Sequence, residues 1–426
     1  MHNVITLILG GGRGTRLYPL TRIRSKPAVP LGGKFRLVDI PISNALHAGL
    51  DRIFVLTQFN SASLHRHVTT TYRFGYFQEG FVDILAASQT LGEQQTDWYE
   101  GTADAVRKTL SHLEGYNVER VLILSGDQLY RMDFAEVIRE HVERGATVTV
   151  SGVVKGPDEV SGLGIMRMDR KGRIEGFVEK PGSSEEVEGF EIPTGLLPEG
   201  AGSGGPCYAA SMGIYLWELK ALKEALAAHP EAADFGHEII PAAVDSYDVY
   251  AHLFDGYWED IGTVGSFFEA NLALTREKPP FQFFHKGRSI YTRPRYLPPA
   301  RVHGGKTQDT VLADGADLRH CTVIHSVVGI RAVIRRGAEV RDTVIMGGDL
   351  YPDTKAGEQD IPPIGIGEGA RIRRAIIDKN ARIGRDVVIE GKEGIEDRDE
   401  DHFSVRDGIV VIPKNTVIPD GTRIKA

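Results

Sequence analysis

Aliphatic residues recur about every six positions in the last quarter of the chain, from about Val311 onwards. A three-sided left-handed parallel β-helix places one aliphatic side chain of each short strand in its interior at this period. The period is carried by Leu312, Leu318 and Ile324; Val328, Ile334 and Val340; Ile377, Ile383 and Ile389; and Ile412, Ile418 and Ile424. Glycines suited to the corners are Gly315, Gly337, Gly369, Gly384 and Gly421. The pattern predicts a β-helix over 311–426, interrupted by loops at Gly347–Gly365 and Glu390–Arg406, and oligomerisation is the simplest role for it.

Strand-like and helical patterns alternate before that region, up to about Thr275. The predicted strands are Val4–Leu9, Arg52–Thr57, Val121–Ser125 and Thr147–Val153, and the predicted helices are Ala103–Leu113, Phe134–Glu143 and Leu216–Ala228. Such alternation predicts an α/β fold, a doubly wound, mostly parallel, Rossmann-like sheet with its ligand site at the carboxyl ends of the strands. We therefore predict a first domain over 1–277, a linker over 278–310 and the β-helix over 311–426.

Length and composition limit the possible functions. A chain of 426 residues is long enough for two domains. Its formal net charge of −8 argues against a nucleic-acid-binding protein. Cys207 and Cys321 offer neither a disulfide framework nor metal-ligand spacing, and no apolar run approaches the ~20 residues of a membrane span. We expect a cytoplasmic protein without nucleic-acid or membrane partners.

The stretch Val4–Gly33 joins an apolar strand to a glycine-rich turn, followed by several cations. Glycines directly after a strand can present bare backbone N–H groups to phosphate oxygens. The loop lacks both the Lys-Ser/Thr of a Walker A motif and the third glycine of the Rossmann fingerprint. Arg16 and Lys26 could close over a polyphosphate, whereas the alternative is a tight turn with two solvated cations.

This glycine loop, followed by Lys-Pro, resembles the signature of the sugar-nucleotide pyrophosphorylases. Six further segments occur in the order typical of the glucose-1-phosphate adenylyltransferases: WYEGTADAV at 98–106, LSGDQLY at 124–130, FVEKP at 177–181, ASMGIY at 210–215, DFGHEIIP at 234–241 and YWEDIGT at 257–263. The resemblance implies a Mg²⁺-dependent enzyme that converts ATP and α-D-glucose 1-phosphate to ADP-glucose and diphosphate for glycogen or starch synthesis. It also implies a homotetramer.

The resemblance assigns roles to individual residues. Catalytic roles fall on Arg16, Lys26 and Asp127; nucleotide binding on Leu9, Gly11, Gly12, Gly14, Thr15, Gln89, Gly101 and Thr102; and glucose 1-phosphate binding on Tyr99, Gly164, Glu179, Lys180, Ser211, Asp234 and Trp258. Asp127 and Asp260 are the implied Mg²⁺ ligands, although an aspartate after a strand can instead cap the next helix. Tyr99 and Trp258 would also suit a hydrophobic core.

Regulation depends on a different set of residues. The position that carries a lysine in enteric enzymes activated by fructose bisphosphate is Ile23 here. The segments IIDKNARIG at 376–384 and VIPKNTVIPDGT at 411–422 resemble the cyanobacterial and plant enzymes, in which the matching lysines bind 3-phosphoglycerate. The implied effector residues are Lys379 and Lys414, with Arg36 as a further candidate. Both lysines could instead be exposed corners of the β-helix.

Three other functions remain compatible with the sequence. One is another sugar-1-phosphate nucleotidyltransferase that uses UTP, dTTP or GTP. A second is a non-catalytic regulatory subunit, although Arg16, Lys26, Asp127 and the other catalytic candidates are intact. A third is a hexapeptide-repeat acyltransferase with His320 or His325 as its base.

Overall fold

The computed structural model describes residues 3–10, 12, 14–87, 98–198, 205–351 and 361–425. The chain forms two compact units that are discontinuous in sequence. The first unit consists of Met1–Gly12 and Ile40–Trp258, and the second consists of Arg13–Asp39 and Glu259–Ala426. The domain boundaries placed near 277 and 311 by the sequence pattern stay a prediction.

A mixed β-sheet of nine described strands forms the centre of the first unit. Its strands are β1 (Val4–Leu9), β2 (Arg52–Thr57), β3 (Phe81–Ala86), β4 (Arg120–Ser125), β5 (Val148–Lys155), β6 (Gly164–Met168), β7 (Ile174–Glu179), β8 (Tyr208–Glu218) and β9 (Val249–Phe254). The order is β7-β6-β8-β4-β1-β2-β3, and β5 pairs with β8 and β9. Strand β8 runs antiparallel to β4, β5 and β6, whereas β1 is parallel to β2 and β4. The predicted α/β sheet is confirmed, with an antiparallel part that the alternation of elements did not indicate.

Seven α-helices are described in the chain. They are α1 (Asp39–His47), α2 (Ala62–Thr71), α3 (Thr102–Thr109), α4 (Phe134–Arg144), α5 (Leu219–Ala228), α6 (Ile240–Ser246) and α7 (Val264–Ala273). Helix α4 shows how the sequence sets helix ends, because the Asp133 side chain accepts a hydrogen bond from the Ala135 amide at its start and a left-handed Gly145 ends it. None of the described helices has the length and apolar character needed to cross a membrane.

The second unit contains a parallel β-helix. Its strands are β10 (Arg301–Leu312), β11 (Asp317–Val328), β12 (Val333–Ile334), β13 (Glu339–Ile345), β14 (Gly365–Ile366), β15 (Arg371–Ile377), β16 (Arg382–Ile383), β17 (Val388–Glu390), β18 (Arg398–Asp399), β19 (Ser404–Arg406), β20 (Ile409–Ile412), β21 (Val417–Ile418) and β22 (Arg423–Lys425). Further short strands outside these two sheets are Pro30–Leu31, Phe35–Arg36, Gln128–Tyr130, Trp258–Asp260, Phe284–His285 and Arg288–Ser289.

Aliphatic side chains of successive coils stack in columns inside the β-helix. One column is Leu318, Ile334, Ile366, Ile383 and Ile418. A second column begins at Val323 rather than at Ile324, because the spacing within β11 is five residues and not six. The predicted period is therefore correct for the solenoid as a whole and wrong by one residue at Ile324, which is only half-buried.

The segment 14–36 packs within the second unit. The Gly32 amide donates to the Asn271 side chain of α7 at 3.0 Å, and the Ile330 amide donates to the Gly33 carbonyl at 3.1 Å. The rings of Phe35 and Phe283 stack with their centres 3.9 Å apart. The segment that carries Arg16 and Lys26 is thus held by residues more than two hundred positions away.

Candidate functional site

The strand ends at β1 and β4 lie side by side in the first unit. Leu9 is in register with Ser125, and the Gly126 amide donates to the Leu9 carbonyl at 3.1 Å. Both Gly10 and Asp127 follow these strands directly, so they share one edge of the sheet, as the sequence predicted. Gly12 is exposed on the same connection, and the predicted nucleotide residue Gly11 lies outside the described residues.

Asp127 is positioned by its own strand end. Its carboxylate accepts a short hydrogen bond from the Ser125 hydroxyl, two residues earlier. The nearby Tyr130 side chain is fully buried, and burial together with the negative charge of Asp127 raises the pKa of the Tyr130 hydroxyl. A neutral phenol therefore lies beside a carboxylate that can interact with a cation.

Arg16, Lys26 and Asp260 lie together in the second unit. The Lys26 ammonium is 3.9 Å from Asp260 Oδ1. A Cβ built on Gly262 would lie 2.6 Å from Asp260 Oδ2 and 3.6 Å from Arg16 Nη2, so both charged groups face this glycine. Arg16 and Lys26 are cations of the kind that bind phosphate groups in proteins.

The loop before Arg16 is shaped by Gly14. This residue has a φ of 62°, in the left-handed region, and a Cβ there would lie 2.9 Å from the Thr21 methyl carbon. The Thr21 hydroxyl donates to the Gly14 carbonyl at 2.9 Å. Thr15 and Arg16 follow at the exposed surface, while Leu17 is fully buried and anchors the turn.

Glu179 and Lys180 lie at the end of β7 in the first unit. The Lys180 ammonium is 3.2 Å from Glu179 Oε1, and the backbone of Lys180 has a left-handed φ of 51°. Glu179 Oε2 would be 2.7 Å from a Cβ built on either Gly164 or Gly236, so both glycines lie against this carboxylate. The structure thus brings together two adjacent charged residues and Gly164, all three predicted to bind glucose 1-phosphate.

Asp234 lies two residues before Gly236, which contacts the Glu179 carboxylate. Its Oδ1 accepts hydrogen bonds from the amides of Gly236 at 2.8 Å and His237 at 3.2 Å, at the start of the π-helix Phe235–Ile239. Its Oδ2 accepts a hydrogen bond from the Thr102 hydroxyl at 3.1 Å. Since Gly236 lies against Glu179, the turn at Asp234 and the end of β7 form one cluster.

The predicted sugar residue Trp258 is bonded by a buried amide that the sequence did not reveal, and Ser211, another predicted sugar residue, directly precedes the second partner of that amide. Gln128 is buried, its Oε1 accepts from the Trp258 indole at 3.1 Å, and its Nε2 donates to the Met212 carbonyl at 2.7 Å. Ser211 accepts from the Gly213 amide at 3.2 Å, and burial raises the pKa of the Tyr215 hydroxyl on the same strand. The only signal for Gln128 was its position directly after Asp127.

Tyr99 is held through its backbone. The Tyr99 amide donates to Gln58 Oε1 at 2.7 Å, and Gln58 Nε2 donates to the Tyr99 carbonyl at 3.2 Å. Burial is the main cause that raises the pKa of the Tyr99 hydroxyl, and the charge of Asp104 adds to it. The nearby nucleotide candidate Gly101 packs against the Ala233 carbonyl, where a Cβ would collide. Gln89 lies outside the described residues.

The two predicted effector lysines share one carboxylate. Asp349 accepts from Lys379 at 3.0 Å and from Lys414 at 2.6 Å. Burial lowers the pKa of Lys379 to about 8, although the charge of Asp349 opposes the shift. Burial likewise lowers the pKa of Arg36 to about 10, and Asp39 opposes that shift. Lys379 is therefore a buried member of a charged cluster and not an exposed corner of the β-helix.

A cluster of three or more histidine, cysteine or acidic side chains suited to a metal ion is absent from the part of the chain that the structure describes. Asp127 belongs to the first unit and Asp260 to the second. Within its own unit, each of the two predicted Mg²⁺ ligands is a carboxylate beside charged or polar groups.

Comparison with known families gives two matches. The model described as nucleotidyl transferase matches residues 5–277, more than half of the chain. The model described as the GLGC left-handed parallel beta-helix domain matches residues 295–423. The predicted fold is confirmed, including the left-handed β-helix, and the first match favours nucleotidyl transfer over the acyltransferase alternative. The chain belongs to the nucleotidyl transferase family and carries a left-handed parallel β-helix domain.

Proposed function

We propose that the protein is a glucose-1-phosphate adenylyltransferase, which forms ADP-glucose and diphosphate from ATP and α-D-glucose 1-phosphate. The observation that carries this proposal is the cluster of Glu179, Lys180 and Asp234 in the first unit. Two carboxylates can accept hydrogen bonds from sugar hydroxyls, and the half-exposed ammonium can pair with a sugar phosphate. Gly164, Ser211, Tyr99 and Trp258 complete the proposed glucose 1-phosphate site.

The proposed reaction needs no protein nucleophile. An oxygen of the sugar phosphate attacks the α-phosphorus of ATP, a new P–O bond forms, and the bond to the departing diphosphate breaks. The attacking oxygen is already anionic at neutral pH, so positioning and neutralisation of charge account for the catalysis. Arg16 and Lys26, which lie beside Asp260, carry the positive charge that the triphosphate requires.

We propose Mg²⁺ as the cofactor, with Asp127 as a ligand in the first unit and Asp260 as a ligand in the second. Carboxylate oxygens suit this hard cation, and Mg²⁺ normally completes its shell with phosphate oxygens and water. A site of this kind needs only one or two protein carboxylates. When bound, the ion neutralises the triphosphate and orients it.

For the nucleotide, we propose that backbone amides of the glycine loop face the phosphates. Leu9 ends β1, and Gly12, Gly14 and Thr15 follow at or near the surface. A strand followed by a glycine-rich turn is a common anion-binding arrangement. Gly11 and Gln89 remain sequence predictions for the same role.

One assay tests the proposed reaction against its alternatives. Diphosphate release is measured with ATP, UTP, dTTP and GTP, each combined with the 1-phosphates of glucose, mannose and N-acetylglucosamine. We expect the largest kcat/KM with ATP and glucose 1-phosphate, loss of turnover with EDTA, and recovery with Mg²⁺. A larger value for another nucleotide would identify a different sugar nucleotidyltransferase. Absence of turnover with every pair would favour a non-catalytic subunit.

We further propose a cytoplasmic homotetramer that supplies glycogen or starch synthesis and is activated by 3-phosphoglycerate at Arg36, Lys379 and Lys414. The support is a group of cations around Asp349 in the second unit, which suits a small phosphorylated carboxylate. Light scattering of the purified protein tests the assembly, and a stable monomer would contradict it.

A further inference from the structure

Thr102, the first residue of α3, makes two hydrogen bonds through one hydroxyl group. The Phe235 amide donates to Thr102 Oγ1 at 3.0 Å, and the hydroxyl donates to Asp234 Oδ2 at 3.1 Å. An amide can only donate and a carboxylate can only accept, so the direction of the hydroxyl proton is fixed. Thr102 therefore connects the side chain of Asp234 to the backbone of the next residue.

The carboxylate of Asp234 is almost saturated by the protein. Two oxygens offer about four lone-pair sites. Among the described residues it accepts three hydrogen bonds, from Gly236, His237 and Thr102, so about one acceptor site remains with respect to them (four minus three). Since Oδ1 already accepts two amides, the remaining site is on Oδ2, the oxygen that Thr102 holds.

The start of α3 is bonded to the residue that precedes Asp234. The Ala103 amide donates to the Ala233 carbonyl at 2.8 Å, and Gly101 packs against the same carbonyl group. On the other side, Gly236 lies against Glu179. Thr102 thus bonds to the turn that contains Asp234, and the same turn contacts the Glu179 carboxylate through Gly236.

We infer that Thr102 is a positioning residue for the sugar substrate: it orients Asp234 Oδ2 so that its remaining acceptor site receives one hydroxyl of the hexose phosphate. This inference rests on the proposed function and gives Thr102 a different role from the nucleotide contact expected from sequence. Thr102 acts through Asp234 and takes no part in the bond changes.

Steady-state kinetics of the variant Thr102→Val test the inference. The substitution removes the hydroxyl and keeps the shape of the threonine side chain. We expect the KM for glucose 1-phosphate to rise about tenfold, with kcat and the KM for ATP changed less than about twofold. Thr102→Ser keeps the hydroxyl and should restore the wild-type KM. Thr109→Val is the matched control, because Thr109 is a buried threonine of the same helix whose hydroxyl bonds only to the Val106 carbonyl among the described residues.

Monodeoxy analogues of glucose 1-phosphate provide a readout that a purely structural role would not change. In the wild type, the KM should be raised for the analogue that lacks the hydroxyl from which Asp234 accepts a hydrogen bond. Thr102→Val should lose most of this penalty for that analogue and keep the penalties for the others, as in a double-mutant cycle. Thr102→Ser should show the wild-type pattern.

Several outcomes would overturn the inference. A rise in the KM for ATP alone would show that Thr102 binds the nucleotide. An unchanged KM for both substrates would show that Thr102 contributes to binding neither of them. Equal effects of Thr102→Val and Thr109→Val would indicate general loss of stability. A wild-type protein without turnover of any sugar phosphate would overturn the proposed function and this inference together, whereas an active wild type with an unaffected variant would overturn this inference alone.

Discussion

The guanidinium of Arg24 and the carboxylate of Asp378 are 2.9 Å apart, and both side chains are almost completely buried. Asp378 Oδ1 also accepts a hydrogen bond from the Lys379 amide at 2.6 Å. Arg24 lies two residues before Lys26, and Asp378 directly follows strand β15 of the β-helix. Within the second unit, this ion pair therefore connects the segment that contains Lys26, the proposed catalytic lysine, to Asp378. Asp378 directly precedes Lys379, the proposed effector lysine.

We predict that Asp378→Ala destabilises the second unit by about 3–5 kcal/mol, because it leaves the Arg24 charge buried without its carboxylate. Hydrogen exchange of the amides in Arg371–Ile377 should report the loss. Arg373→Ala is the control, since its pair with Asp342 is 3.5 Å long and exposed, and such pairs contribute less than about 1 kcal/mol. Equal protection in the two variants would contradict the prediction.

Asp127→Asn should lower kcat by a factor on the order of 10³ and change the KM for ATP little. The amide keeps the size and most hydrogen bonding of the carboxylate but lacks the charge that would neutralise Mg²⁺. Stopped-time assays of diphosphate release at saturating Mg²⁺ measure the effect. Asp158→Asn, at an exposed aspartate of the same unit, should leave kcat unchanged. A folded Asp127→Asn protein with near-normal kcat would remove Asp127 from the catalytic set.

Lys180→Gln should raise the KM for glucose 1-phosphate and leave kcat and the KM for ATP nearly unchanged. A contact that is equally strong in the ground state and the transition state affects binding but not the chemical step. Initial rates with each substrate varied in turn distinguish the two parameters. Lys171→Gln, an exposed lysine in the turn between β6 and β7, should have no effect on either KM. A large fall in kcat with an unchanged sugar KM would show that Lys180 acts in the transition state.

The sequence predicted those parts of the fold that depend on local patterns. The apolar run Val4–Leu9 is a buried strand, and the six-residue period is the interior of the β-helix. The exact register failed at Ile324, because some steps between stacked side chains span five residues, as from Val340 to Ile345, and side-chain hydrophobicity does not distinguish five from six. Strand β8 was not predicted, and the helix predicted over Leu216–Ala228 is wrong for Leu216–Glu218, which end this strand. Its antiparallel pairing depends on long-range contacts.

In the candidate site too, residues in local motifs were predicted and residues defined by long-range contacts were not. Motifs identified Glu179, Lys180 and Asp234, which the structure brings to one cluster. They did not identify Gln128 or Asp349, whose importance comes from partners distant in sequence: Met212 and Trp258 for the first, Lys379 and Lys414 for the second. A polar residue that acts by joining distant segments has no local sequence signature.

The response to 3-phosphoglycerate should weaken as the pH rises through about 8. Burial lowers the pKa of Lys379 to about 8, so its ammonium form predominates below that pH and is lost above it. An anion binds the protonated form better, and affinity therefore falls with increasing pH. Titrating the rate with 3-phosphoglycerate between pH 7 and pH 9 should give an activation constant that increases above about pH 8.

Replacing Lys379 and Lys414 together with alanine should remove both this pH dependence and most of the activation. A coupling of about 1–3 kcal/mol, or roughly five- to 150-fold in affinity, is typical of such effector sites. The measured quantity is the ratio of activated to unactivated rate, so a change in turnover itself does not affect the result. Lys392→Ala, at an exposed lysine of the same unit, should keep the wild-type ratio. Fructose 1,6-bisphosphate and fructose 6-phosphate are titrated in parallel, and activation of the wild type by a fructose phosphate alone would show that these lysines serve the structure of the cluster around Asp349 and not the effector.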